Sequence, residues 1–261
     1  MEEIVDIQNM PDYRRIEVDK VGVKKLRYPV IVLDKAKGTQ STIASINMYV
    51  GLPHQFKGTH MSRFTEIIDE FHNKLISLKA IKQILQTIKD RLNAVSAHLE
   101  IAFPYFIEKE APVSKAKGLM AYRCRVIGCL KEKMDLVVEV EVPICTLCPC
   151  SKEISEFGAH NQRGIVNLKI RFKKFMWLED MIKMVEEAGS SEVYSVLKRA
   201  DEKYVTEQAY LNPKFVEDVV RDIAKRLLTD PNITWFSVEA ENFESIHNHN
   251  AYAYIERKKG R

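Results

Sequence analysis

The sequence predicts an α+β fold in two related halves. Three observations carry this expectation: runs of alternating polarity occur in pairs, stretches of helical period lie between the pairs, and the order strands, helices, strands recurs in part after a cysteine-bearing segment. Residues 24–34 (KKLRYPVIVLD) and 40–50 (QSTIASINMYV) alternate and are joined by the turn-like KAKGT, which reads as a hairpin. Over residues 62–92 the apolar positions Phe64, Ile67, Ile68, Phe71 and Leu75, then Ile81, Ile84, Leu85, Ile88 and Leu92, recur at helical spacing. Ser62 and Glu66 stand near the start, so one long helix or two in tandem fits. Residues 97–108 and 120–142 are β-rich, forming a second hairpin around PVSKAKG and a further strand that ends at Pro143.

The second half repeats this pattern. Residues 164–172 read as a strand, 178–188 as a helix stopped by Gly189, 213–228 as a longer helix, and 233–240 and 251–257 as strands. Each half is therefore an antiparallel sheet with helices laid on one face, and no low-complexity linker separates them.

Composition narrows the class. A chain of 261 residues, 46% hydrophobic and 29% charged, can bury a core without disulfide staples. No apolar run is long enough to span a membrane. The acidic start MEEIVDIQNMPDYRR lacks the basic-then-apolar order of a secretory signal, so a cytoplasmic address is expected. In a reducing compartment, five cysteines, three of them spaced C-x2-C-x-C, point to thiolate chemistry more than to a disulfide frame. The net charge of +4 is small and its signs are interleaved, which does not imply nucleic-acid binding but leaves room for an anionic small molecule. The terminal ERKKGR reads as a solvated tail.

Four segments carry titratable or ligating groups. In CTLCPCSKEISEFGAHNQRG, residues 145–164, only one cysteine knuckle is present, while a structural zinc ribbon needs two. Cys124 and Cys129 lie inside a strand pattern and read as core thiols. Ser151 can cap a short helix through Lys152, Glu153 and Ile154 before Gly158, setting Cys150 beside the positive helix end. Cys150 is thus the first choice as nucleophile or metal ligand, Cys148 the second, and Cys145 packs. His160, beyond Gly158, can fold back toward Cys150. In ENFESIHNHNAYA, Glu244, His247 and His249 lie close in sequence, with Glu239 and Glu241 nearby. The two histidines at i, i+2 share a side if the backbone is extended. Such a density suits acid and base work, although a plain surface loop is the alternative.

In LKRADEKYVTEQAYLNPKFVEDVVRD, residues 197–222, Glu202 falls in a short charged connection and Glu217 on the following helix. Glu217 either pairs with Arg221 at i, i+4 or accepts two hydrogen bonds from a guanine edge. In LPHQFKGTHMSRF, residues 52–64, Lys57, Gly58, Thr59, His60, Ser62 and Arg63 suit either a phosphate at a helix N-terminus or an ordinary cap.

These segments together, with the opening DIQNMPDYRRIEVDKVGVKKLRYP, resemble the prokaryotic type IB GTP cyclohydrolase I family over nearly the whole chain. The resemblance implies two tandem tunnelling-fold modules, 1–145 and 146–261, with active-site motifs spread over both, in a homotetramer whose sites are shared between subunits. It implies conversion of GTP and water to formate and 7,8-dihydroneopterin triphosphate, the entry to folate and related pterins, with no nucleic-acid or membrane partner. By the same resemblance, Cys150, His160 and Glu202 are metal positions, Glu217 anchors the purine, and Glu244, His247 and His249 join Cys150 as catalytic groups. Lys57, His60, Ser62 and Arg63 are the expected substrate-binding set. One divalent ion per site, zinc, manganese or ferrous iron, would lower the pKa of a bound water to roughly 7 for attack at guanine C8. His247 and His249 would move protons, and Glu244 would orient or activate water. Two rivals stay open: a relative ending at a cyclic phosphate, and a non-catalytic zinc module closed by Cys145, Cys148, Cys150 and His160.

Overall fold

The computed structural model describes residues 8 and 10–259. Most of the acidic start and the last two residues of the basic tail lie outside the described residues. The chain forms an eight-stranded antiparallel sheet whose spatial order is the chain order. It divides into two compact units, one comprising the chain up to Phe103 with Arg125–Val137, the other Pro104–Cys124 with the chain from Val138 onward. The boundaries fall inside strands β3 (Ala97–Glu110), β4 (Lys117–Leu130) and β5 (Met134–Leu147).

In the first unit, β1 (Val18–Asp34) and β2 (Gly38–Leu52) form the expected hairpin, in register from Leu26 opposite Ile46 to Asp34 opposite Gly38. Its turn is built by Asp34, whose buried carboxylate accepts from the N–H groups of Ala36 (2.9 Å) and Lys37 (2.7 Å). Gly38 completes it at φ 82°, where a side chain would be strained. Nearer its start β1 slips register between Val23 and Leu26, with Lys25 at φ 58°. The amide that this bulge takes from the ladder is not left bare: Lys25 N–H donates to Asn47 Oδ1 at 2.8 Å, and Asn47 Nδ2 donates to Glu100 at 2.9 Å.

The long apolar period resolves into two helices, α1 (Ser62–Asp69) and α2 (Leu78–Arg91). Ser77 caps α2, accepting from Ala80 N–H at 3.2 Å. Ala80, Ile81, Ile84, Leu85 and Ile88 are buried along one stripe of α2, each of the larger side chains contributing about 1.5–3 kcal/mol. Ile81 and Leu85 press on Gly128 of β4, the residue that leaves room for them. Ser62 is the first helical residue of α1 and not its cap; Met61 holds that position without a side-chain hydrogen bond.

In the second unit β5 pairs with β6 (Asn161–Phe172), β6 with β7 (Ile233–Asn242), and β7 with β8 (Ala251–Lys258), all antiparallel. Alternate residues Val140, Val142 and Ile144 on β5, and Val166, Leu168 and Ile170 on β6, are fully buried, as the period of two requires. Helix α3 (Pro149–Ile154) follows β5, and α4 (Leu178–Glu186), α5 (Arg199–Leu211) and α6 (Val216–Thr229) fill the β6–β7 connection. Helix α6 buries Val219, Val220, Ile223 and Leu227 and packs on β7 and β8.

Helix α5 corrects the expectation that Glu202 lies in a short connection. It buries only Asp201 and Ala209, so no apolar stripe announces it. Among the described residues no helix is long and apolar enough to cross a membrane.

At Gly22 of β1 an added Cβ would sit 2.0 Å from the Met48 carbonyl oxygen, a backbone atom that cannot swing aside. Gly22→Ala is expected to lower stability by about 1–3 kcal/mol, read as a lower urea midpoint at unchanged slope.

Candidate active site

The β5–β6 register sets the geometry of the cysteine segment. The ladder runs to Leu147 opposite Asn161, and one step further Cys148 N–H donates to the His160 carbonyl at 3.1 Å. Between these points the chain leaves through α3, opened by Pro149 at a position that needs no N–H, and returns through Gly158 at φ 125°. Helix α3 ends at Ile154, ahead of Gly158, so that glycine makes the return turn instead of stopping the helix.

The N-cap of α3 is Cys148, which corrects the assignment of that role to Ser151. Cys148 Sγ accepts from Ser151 N–H at 3.5 Å. The Ser151 hydroxyl donates to the Cys148 carbonyl at 3.2 Å and accepts from His160 N–H at 3.3 Å. Ser151 therefore ties Cys148 to His160. Cys150 is exposed one residue into α3, and among the described residues no hydrogen bond or ion pair joins it to His160. Cys145 is half-buried in β5, where burial pushes its thiol pKa up, and its backbone pairs with Ser191. Burial likewise raises Cys124 and Cys129. These three thiols suit packing, as expected.

The His160 ring faces a polar floor that the residue types alone did not disclose. Its Nδ1 lies 3.1 Å from Gln162 Oε1, 3.4 Å from Ser245 Oγ and 4.0 Å from Glu244 Oε2. Gln162 Nε2 donates in turn to Thr146 Oγ1 at 3.0 Å, and the two residues are register partners across β5 and β6. Glu244 is thus brought beside His160 by the loop from β7 to β8, only 12% exposed at its side chain. The same loop stacks His247 on His249, with ring centroids 5.0 Å apart and planes 15° apart. The two rings share a side as expected, although the segment is a loop and not a strand.

The remaining positions lie on separate elements. Glu202 is exposed in the first turn of α5. Its neighbour Asp201 is buried and ties that turn down: Oδ1 accepts from Val113 and Ser114 N–H at 2.8 Å each, and Oδ2 from Lys198 N–H at 2.8 Å and the Ser114 hydroxyl at 2.6 Å. Glu217 is exposed in the first turn of α6, and Arg221 approaches Asp218 (3.9 Å) in place of Glu217. Glu217 has no ion-pair partner among the described residues. Asn212 Nδ2 donates to the carbonyls of Gly189 and Ser190, and Lys214 N–H donates to the Leu147 carbonyl, fixing the α5–α6 corner against the end of β5.

In the first unit, His60 and Arg63 line a cavity of about 250 Å³ together with Gly58, Thr59 and Asn93. Lys57 and Ser62 are exposed beside that segment and do not line it. Arg63 donates to the Arg91 carbonyl at 3.2 Å. Among the described residues no three or more His, Cys, Asp or Glu side chains lie together as a ready metal cage, so Cys150, His160 and Glu202 do not converge as one within the single chain.

An antiparallel α+β sheet with a thiol, an imidazole and a carboxylate near the end of the β5–β6 ladder defines a class of protein only in outline; relatives give the particular family. The family model described as type I GTP cyclohydrolase FolE2 matches residues 4–253. The GTP cyclohydrolase FolE2 of Syntrophus aciditrophicus (strain SB) is 63% identical over 256 residues, covering 98% of this chain and 100% of the relative. That of Syntrophobacter fumaroxidans (strain DSM 10017 / MPOB) is 62% identical over 258 residues, with the same shares covered. Among solved structures, uricase from Arthrobacter globiformis superposes with a TM-score of 0.55 at 7% identity, covering 92% of this chain and 93% of that one. That likeness supports the tunnelling fold alone. The chain belongs to the type I GTP cyclohydrolase FolE2 family, the type IB class.

Burial by itself would raise the Asp201 carboxyl, but the hydrogen bonds from Ser114, Lys198 and Val113 together outweigh it and hold the group well below the ordinary 3.8. A depressed folded-state pKa adds stability above the unfolded value that is lost as pH falls through the folded one. Thermal unfolding temperature is therefore expected to drop as pH is lowered below about 4, and Asp201→Asn to be less stable at neutral pH with a flatter acid limb.

Proposed function

We propose that the chain is a type IB GTP cyclohydrolase I that hydrolyses GTP to formate and 7,8-dihydroneopterin triphosphate, the first step toward folate and related pterins. Family membership along the whole chain supports the activity. The observation that carries the site is the clasp of Cys148 and His160 across the end of the β5–β6 ladder, with Glu244 brought to the same imidazole.

The donor set suits one divalent ion per site, zinc, manganese or ferrous iron, because thiolate, imidazole and carboxylate are all available. His160 meets the protein through Nδ1, which leaves Nε2 as the ligating nitrogen. The sulfur could be that of Cys148 or Cys150, and the geometry favours Cys148: it is tied to His160 through its own amide and through Ser151, whereas Cys150 is exposed on α3. Glu202 is the expected third donor, and since no three such donors lie together among the described residues, we assign the complete set to a homotetramer with shared sites. When bound, the ion would supply a hydroxide-like water at neutral pH.

The other groups act on the nucleotide. Glu217, exposed and without an ion-pair partner among the described residues, accepts from the ring N–H and the exocyclic amine of guanine with its two oxygens. His60 and Arg63 at their cavity, with Lys57 and Ser62 beside it, receive the triphosphate. His247 and His249, exposed and stacked, give and take protons as the imidazole ring opens and the ribose rearranges, and Glu244 orients water or the adjacent imidazole. The element order, two strands, helices, two strands, then the same again, supports tandem modules. On that reading the seam falls between β4 and β5, ahead of the expected 145/146.

Two measurements test this reading. Glu217→Ala is expected to weaken GTP binding by about 100-fold or more while metal content is unchanged, since two hydrogen bonds to a charged group are lost. Unaltered GTP affinity by calorimetry would remove the guanine anchor. Cys148→Ser is expected to lose metal and turnover together, and Cys150→Ser to retain bound metal; the reverse pattern moves the ligand to Cys150.

A further inference from the structure

We propose that Thr146 and Gln162 are positioning residues that set the tautomer of His160, placing its proton on Nδ1 and leaving the Nε2 lone pair outward. This rests on the metal-ligand reading of His160 for its purpose, but not for its geometry. Nothing in the residue types of the motif GAHNQRG distinguishes Gln162 from its polar neighbours. The strand register does.

Thr146 and Gln162 face each other across β5 and β6, so their side chains point to the same side of the sheet, 0% and 7% exposed. Gln162 Nε2 donates to Thr146 Oγ1 at 3.0 Å, which spends the amide's donor end on the hydroxyl and turns Oε1 toward the imidazole, 3.1 Å from Nδ1. A neutral imidazole has one N–H and one lone pair, and the nitrogen that faces an acceptor keeps the proton. The amide could in principle be turned the other way, because a hydroxyl both donates and accepts. Glu244 weighs against that: its carboxylate oxygen lies 4.0 Å from the same Nδ1, too far to fix the proton by itself, but as an acceptor on that side it favours the amide orientation that leaves the proton on Nδ1. Ser245 Oγ, at 3.4 Å, is a third oxygen on that side.

Three oxygens thus surround Nδ1, while Nε2 has no protein partner among the described residues. The arrangement has the form in which a ligating histidine is oriented by an outer acceptor, and loss of such an acceptor typically costs 10–100-fold in metal affinity. It also gives Glu244 a task besides handling water: the loop from β7 to β8, already tied to β6 by the Phe243 N–H to Arg163 carbonyl bond, meets the imidazole at this nitrogen. Among the described residues no hydrogen bond joins the Thr146 side chain to the imidazole or to Cys148; its link to His160 runs through Gln162.

The ring nitrogens of His160 can be read directly by nitrogen-15 correlation spectra of the metal-free, full-length protein at a pH where the imidazole is neutral. The expected spectrum shows a protonated Nδ1 and an unprotonated Nε2. Gln162→Met, which keeps volume and removes the amide, is expected to give a mixture of tautomers. Thr146→Val should do the same to a smaller degree, and Thr146→Ser should restore the single form. Zinc affinity, measured by competition with a chelator, should fall about 10–100-fold in Gln162→Met and stay near wild type in Thr146→Ser. A wild-type ring protonated on Nε2, or a Gln162→Met ring spectrum identical to wild type, overturns the proposal, and the wild-type spectrum alone suffices if a variant does not fold. If the wild-type ring shows the expected tautomer yet the protein binds no divalent ion, the metal reading fails and the positioning role stands.

Discussion

The pairing of β5 with β6 is the constraint on which the site depends. Ten consecutive register pairs, from Val138 opposite Ile170 to Leu147 opposite Asn161, fix which residues meet where the two strands part. A slip of one residue would exchange the buried Val140, Val142 and Ile144 for Glu141, Pro143 and Cys145, so burial of those side chains holds the register. The same register then sets Thr146 opposite Gln162 and delivers Cys148 to the His160 carbonyl. The chemistry at the corner is positioned by hydrophobic packing well away from it.

Around that corner the structure uses backbone hydrogen bonds where a packed core is absent. Helix α3 buries no residue, yet its entry is closed by the Cys148 sulfur and the Ser151 hydroxyl, its exit by the Ser155 N–H to Ser151 carbonyl bond, and the chain beyond it turns back through Gly158 in a conformation other residues avoid. Helix α5 is similar. Four hydrogen bonds to the carboxylate of Asp201 hold its first turn, and that turn presents Glu202. An exposed side chain such as that of Glu202 cannot hold itself in place, so its buried neighbour Asp201 fixes the turn that carries it.

How much of this the sequence discloses follows from what each element leaves as a pattern. Strands with one buried face, such as β2 and β6, show alternation, and α2 and α6 show an apolar stripe, so their existence and type are readable to within a few residues. RADEKYVTEQAYL buries only Asp201 and Ala209; it carries no stripe, and its helix depends on contacts with Val113 and Ser114, far away in sequence. The cap is a related case. Ser151 has the residue type that favours a cap, but Pro149 fixes where the helix begins and leaves Cys148 in that position. Gln162 and Thr146 become visible only once β5 and β6 are aligned, because their link is a matter of register and not of spacing along one segment. Glu244 could be singled out from its neighbours, but its approach to His160 could not, since the two meet only through the pairing of β6 with β7 and the loop that follows β7.

Because spatial order follows chain order, each strand finds its partner in the next one to be synthesised. Most of these joins are short. The two long ones are residues 53–96, between β2 and β3, and 173–232, between β6 and β7. They contain Lys57 to Arg63 in the first case and Glu202 and Glu217 in the second. Closing a longer loop costs only about 0.6 kcal/mol for each doubling of its length, so the meander tolerates both insertions at little thermodynamic expense. The kinetic burden is different, since contacts between distant residues must wait for their loops to close. The segments proposed to face the nucleotide therefore sit in the two longest loops of an otherwise sequential zipper of strands, where closure comes after the short hairpins have formed.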